Sequence, residues 1–223
     1  MGQRLNKKIK TFISLYACKI HMAVNNIQFT KIEIQIASYL FKHYKEKYNA
    51  RQLARILKIN HAHANKLCNI LVSKHLLRKE NVGSSIYFSF NYGNRLALKF
   101  MCYLLSLEQT IFPKWLAVAL HNLKNFKDHI ILGVIFGSSI KNNTFNDVDV
   151  LLVYDNKNAE KIKKIKEQIR KSQLIEQPIR YVDITEKDIY LNKDNKIFYN
   201  ILSGNLIFHN AEKYVEVISK CHK

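Results

Sequence analysis

"GVIFGSSIKNNTFNDVDVLLVYD", residues 133–155, sets an apolar run, a Gly-Ser break and two aspartates one residue apart in a single short stretch. The run that leads into it, "HIILGVIF", has the continuous β-branched character of a buried strand. "DVDVLLVY" then alternates, so Asp147 and Asp149 fall on one face at the start of a second strand. Two carboxylates that close repel each other unless a cation lies between them, and hard oxygen ligands suit Mg²⁺, which is commonly held by one or two carboxylates together with substrate phosphates. Gly137 lets the backbone approach a phosphate, while Ser138 and the N–H groups that follow can donate to its oxygens. The pattern points to a metal–nucleotide site, with Asp147 and Asp149 on Mg²⁺ or Mn²⁺ and Gly137, Ser138 and Ser139 on the nucleotide. A solvated pair of strand-end aspartates is the competing explanation.

Upstream, the periodicity changes to helical. Residues 30–47 place Ile32, Ile36, Tyr39, Leu40 and Tyr44 near helical spacing, with Thr30 and Glu33 in a capping-box arrangement. "NARQLARILK" reads as a short helix capped by Asn49, and "INHAHANKLCNILVSKHLL" as another capped by Asn60. Only a tight turn joins them, which makes a helix-turn-helix. Leu77–Asn81 and Ile86–Phe90 can then pair as strands across a Gly- and Ser-containing turn. Helix, helix-turn-helix and hairpin follow the order of a winged helix, in which the second helix of the pair enters the DNA major groove. Its outward residues are His61, His63, Asn65, Lys66 and Asn69, and Arg78 and Lys79 stand where a wing meets phosphates. Double-stranded DNA is therefore the expected partner of residues 30–91. Protein docking is the alternative use of the same fold, and His61 with His63 are too few ligands for a metal site.

Charge follows the same division. Residues 1–128 hold 21 Lys+Arg against 5 Asp+Glu, whereas residues 129–223 hold 15 against 12, within a formal net charge of +19. The excess belongs to the first half, as expected of a unit that meets a polyanion. Lys enrichment from AT-rich codons is the competing cause, which the lopsided split weakens without removing, because the second half is also Lys-rich but balances it with acids. No apolar run approaches the roughly 18 residues of a membrane span. The basic start, "MGQRLNKKIKTFISLYACKI", lacks an A-x-A-like cleavage site and reads as an amphipathic helix. Cys18, Cys68, Cys102 and Cys221 are widely spaced, with no C-x-x-C pair, and suit a reducing cytoplasm as buried small hydrophobes. The domains expected are a winged helix with its basic N-terminal helix at 1–92, a helical connector at 93–112, and an α/β unit at 113–223.

The stretch "GVIFGSSIKNNTFNDVDVLLV" resembles the signature of the polymerase-β-like nucleotidyltransferase superfamily: an apolar residue, Gly-Ser, a spacer, then Asp-x-Asp within a strand. That resemblance implies an α/β (α+β) domain with a small mixed sheet behind the winged helix. It further implies Mg²⁺ on Asp147 and Asp149, a third carboxylate at Asp183 in "IRYVDIT" for a second metal, and transfer of a nucleoside monophosphate from an NTP, ATP first, to an acceptor hydroxyl. The tail "DNKIFYNILSGNLIFHNAEKYVEVI" is similar to the end of minimal members, where a helix precedes a short strand and a final helix. Some minimal members modify a toxin-like partner protein, so a protein acceptor is implied as well. The eight residues Ser139–Asn146 make a short spacer, and it lacks the family's frequent small-Arg-Gly element, so that the resemblance leaves Lys141 as the partial substitute for that positive charge at the nucleotide. This departure keeps a second reading open: a DNA-binding regulator whose nucleotidyltransferase unit senses nucleotide or mediates assembly.

Overall fold

The computed structural model describes residues 28–141, 144–172 and 177–222; the expected amphipathic N-terminal helix, and Cys18 with it, lie outside them. Among the described residues the chain is a mixed α/β structure with nine α-helices and two small sheets. None of these helices is long and apolar enough to cross a membrane.

Helix α1 (Lys31–Lys42) starts as its sequence dictates. Thr30 caps the Glu33 N–H, and the Glu33 carboxylate returns to the Thr30 N–H at 2.7 Å. It ends five residues before the expected Lys47, because Tyr44 is buried from a turn, and Tyr48–Asn49 form a two-residue strand, β1. Helices α2 (Ala50–Leu57) and α3 (His61–Ser73) follow, capped by Asn49 and Asn60. Lys58 stands between them in the left-handed region at φ 54°. Strands β2 (Leu77–Val82) and β3 (Ser85–Phe90) form the expected hairpin around Gly83 and Ser84, and β1 adds to β3 through Tyr48 opposite Phe88.

Helix α4 (Arg95–Glu108) buries Ala97, Met101 and Leu105. The helix expected over 113–126 is a short α5 (Ala117–Leu123) flanked by 3₁₀ turns. The second sheet is built from β4 (Leu132–Phe136), β5 (Val148–Val153), β6 (Ile179–Ile184) and β7 (Asn205–His209), in the order β6-β5-β4-β7. β4 is antiparallel to both neighbours, while β5 and β6 run parallel. Helix α6 (Ala159–Lys171) makes the crossover between the parallel pair, as such a pair requires. Helices α7 (Glu186–Leu191), α8 (Lys196–Ser203) and α9 (Ala211–Cys221) complete the chain, with the helix-strand-helix tail found as read.

Strand alternation sends the sheet's side chains into two cores. Ile135, Val148, Val150, Leu152 and Phe208 pack with Leu116, Leu123, Phe126, Ile162 and Ile169. Gly133 makes this possible, since a Cβ there would stand 2.3 Å from the Phe208 ring beside an irregularity in the β4–β7 register. On the opposite face, Leu132, Val134, Leu151, Val153 and Ile207 join a core that also holds Ile36, Phe41, Leu53, Leu71, Phe88 and Met101. One apolar cluster thus runs from α1, α2, α3 and β3 to the second sheet. Polar contacts reinforce it: Lys42 Nζ donates to Glu108 at 3.1 Å and to the Asn205 carbonyl at 3.2 Å, and Tyr199 donates to Glu46 at 3.0 Å.

Candidate functional site

The end of β4 lies beside the start of β5, with Phe136 opposite Asp149. The next residue, Gly137, has φ 83° and ψ −150°, a conformation open to glycine and costly for other residues. A Cβ at Gly137 would stand 2.2 Å from Asp149 Oδ2. Gly137 therefore satisfies two demands, a backbone angle and the close approach of a carboxylate. Ser138 follows, exposed at the head of a 3₁₀ turn (Ser138–Ile140), and Lys141 is exposed at its end.

Ser139 departs from its expected role. It is fully buried, its hydroxyl donates to the Phe136 carbonyl at 3.4 Å, and its own carbonyl accepts the Trp115 indole N–H at 2.9 Å. The side chain therefore braces the turn and does not face a nucleotide. Trp115, which sequence reasoning passed over, anchors the turn from the start of the second unit.

Asp147 and Asp149 are brought together as their spacing requires. Asp147 keeps 14% of its side-chain surface, and its Oδ2 lies 2.8 Å from Nε of Arg180 on β6. Burial, and then the neighbouring Asp147 charge, push the Asp149 carboxyl above the usual carboxylate range, against the pull of Arg180. Two carboxylates placed this close favour a positive charge beside them, which Arg180 supplies in part.

Asp183 is not part of it, which corrects the third-carboxylate expectation. The parallel register sets Arg180 opposite Asp149 and Asp183 opposite Leu152. Three residues along a strand is an odd step, so Asp183 lies on the other face and roughly 10 Å further along. There it pairs with Lys166 of α6 and accepts from the Tyr154 hydroxyl, whose pKa is raised by burial and then by this carboxylate. Lys166 also lies 4.6 Å over the Tyr181 ring. A groove of about 540 Å³ lined by Lys163, Lys166, Arg170, Ile179 and Tyr181 belongs to this second face. The residue that meets the aspartate pair from β6 is a cation, Arg180.

Among the described residues no group of three or more His, Cys, Asp or Glu side chains is arranged to hold a metal. The donor set at Asp147 and Asp149 fits one hard divalent cation whose remaining ligands are water and phosphate oxygens. The missing Cβ of Gly137 lets the Asp149 carboxylate lie directly against the backbone of the turn. A second cation completed by Asp183 does not fit.

In the N-terminal part of the described chain, His61, His63, Asn65, Lys66 and Asn69 are all exposed on α3. The Asn69 amide donates to the Asn65 carbonyl at 2.9 Å, which ties part of this face to its own helix. Arg78 is exposed on β2 but engaged by the loop after β3: its Nε donates to Asn91 Oδ1 at 2.7 Å, and its Nη2 lies so near Gly93 that a Cβ there would clash. Lys79 is exposed on β2 opposite Phe88. The exposed face of α2 adds Arg51 and Arg55, whose helical spacing of four residues was the available signal. Cys68 and Cys221 are buried and Cys102 half-buried, all without disulfides, and burial pushes the Cys68 thiol up to about 12. No protein-family model, curated protein or solved structure matches the chain.

Proposed function

We propose that the protein is a winged-helix DNA-binding protein carrying a nucleotidyltransferase site of the polymerase-β-like type, which takes an NTP with Mg²⁺ or Mn²⁺. The observation that carries this reading is the approach of Gly137 to Asp149 beside Asp147. It leaves two same-face carboxylates under a backbone turn that can admit phosphate. A cation held there by Asp147 and Asp149 would neutralise phosphate charge and polarise the bond to the leaving pyrophosphate. Ser138 and the backbone of its turn would orient the phosphates, and the reaction would join a nucleoside monophosphate to an acceptor hydroxyl. The DNA reading is supported by the exposed polar face of α3, the cations of α2 and the basic excess of residues 1–128.

One observation favours a second reading, a regulator that senses NTP without transferring it. Asp183 is turned to the opposite face, so β6 brings no carboxylate to accept the proton of an attacking hydroxyl. Equilibrium titration with ATP and Mn²⁺, run beside transfer of label from α-phosphate-labelled ATP, separates the two. Binding is expected in the wild type, lost in Asp149→Ala and retained in Asp183→Asn. Label transfer to protein or RNA acceptors supports the enzyme; binding without transfer supports the sensor. Unchanged ATP affinity in a variant lacking both Asp147 and Asp149 overturns the site.

A further inference from the structure

Arg180 has no role in either reading, yet among the described residues it is the one cation that meets the aspartate pair. Its position follows from topology: parallel pairing sets it opposite Asp149 on the same face, and its Nε donates to Asp147 across one strand. The partners of this bond live in different surroundings. Asp147 is nearly enclosed, whereas the Arg180 side chain keeps 73% of its surface. An ion pair with one end in water is cheap to break, because solvent screens it and rehydrates the guanidinium. The planar guanidinium also has further N–H donors suited to bidentate contact with phosphate.

A carboxylate oxygen engaged by a guanidinium is poorly placed to be the inner ligand of a divalent cation at the same time. The two compete for Asp147. We propose that Arg180 is a displaceable positioning residue, which holds Asp147 before nucleotide arrives and turns to the triphosphate when a cation takes that carboxylate. The inference rests on the nucleotide reading given above. Arg180 then works in opposite directions on two ligands: it weakens binding of the free cation and strengthens binding of the cation–triphosphate complex. A rigid clamp that merely shapes Asp147 would shift both the same way.

The test is calorimetric titration of the full chain, wild type, Arg180→Ala and Arg180→Lys, with Mn²⁺ alone and then with ATP and AMP at saturating Mn²⁺. Arg180→Ala is expected to bind Mn²⁺ alone roughly tenfold more tightly and ATP roughly tenfold more weakly, the scale of one hydrogen bond to a charged group. AMP affinity should not change, since it lacks the phosphates that Arg180 would reach. Arg180→Lys should fall between, keeping charge without the planar fork, and it decides by the same criteria should the alanine variant fail to fold. Mn²⁺ and ATP affinities that move together, or that do not move, overturn the proposal and leave Arg180 as a fixed clamp. A wild type that binds neither Mn²⁺ nor ATP overturns the nucleotide reading itself, and the role of Arg180 falls with it.

Discussion

Gly137 joins a positive backbone φ to a close approach of the Asp149 carboxylate that no Cβ tolerates. Gly137→Ala is accordingly expected to cost about 1–3 kcal/mol of stability through backbone strain. Its larger effect should be on ligand, because relief of the contact displaces Asp149. Urea unfolding with a parallel ATP titration checks this, and an alanine variant with wild-type ATP affinity contradicts it. The pairing of Asp147 with Asp149 was legible because period-two alternation is a local property of the chain. The face of Asp183 was not legible. "IRYVDIT" has apolar residues at both parities, Ile179 and Tyr181 on one side and Val182 and Ile184 on the other, so its inward side depends on how β6 registers against β5. That register is set by the crossover through α6 and by the Val148 N–H, which donates to the Pro178 carbonyl at 2.9 Å. The roles of Ser139 and Arg180 were hidden for the same reason, since each is defined by a neighbour distant in sequence.

At the start of α1, Glu33 closes a capping box and also pairs with Lys74 of the neighbouring helix end at 2.9 Å, with only 3% of the residue exposed. Burial pushes this carboxyl up, but the Thr30 N–H and the Lys74 ammonium outweigh it and hold the pKa below the ordinary glutamate value. A depressed folded-state pKa stabilises the protein above the unfolded value near 4.5, and that gain is lost as pH falls through the folded pKa. Glu33→Gln should therefore destabilise the protein at pH 7, by about 1–3 kcal/mol for a buried charged hydrogen bond. Wild type and variant should converge in acid. Chemical unfolding across this pH range reads the difference, and a constant gap down to the acid limit contradicts the assignment. Such helix starts were the most legible elements, since a cap and its partner lie within four residues. The end of α1 and the whole of β1 were not legible, because Tyr44 and Tyr48 are buried by partners elsewhere in the chain and a two-residue strand has no period to read.

For the molecule as a whole, one apolar cluster spans residues from Ile36 to Cys221. A single cooperative thermal transition is expected, with calorimetric and van't Hoff enthalpies equal. Two separated transitions would mean that the halves are energetically independent. Helix α9 is central to this cluster: Tyr214 is fully buried, its ring centroid lies 6.2 Å from that of Phe41, and His222 stacks on Tyr92 at 4.2 Å. These partners are more than a hundred residues apart in the chain, which has a consequence for biosynthesis. A ribosome releases Phe41 and Tyr92 long before it has made Tyr214, so the basic half of the nascent chain emerges with an open hydrophobic seam where α9 belongs. At elongation speeds of roughly 5–20 residues per second, that seam stays uncovered for several seconds. A chain cut short before α9 is therefore expected to keep that apolar seam exposed and to aggregate, so the fold closes only when α9 has been made.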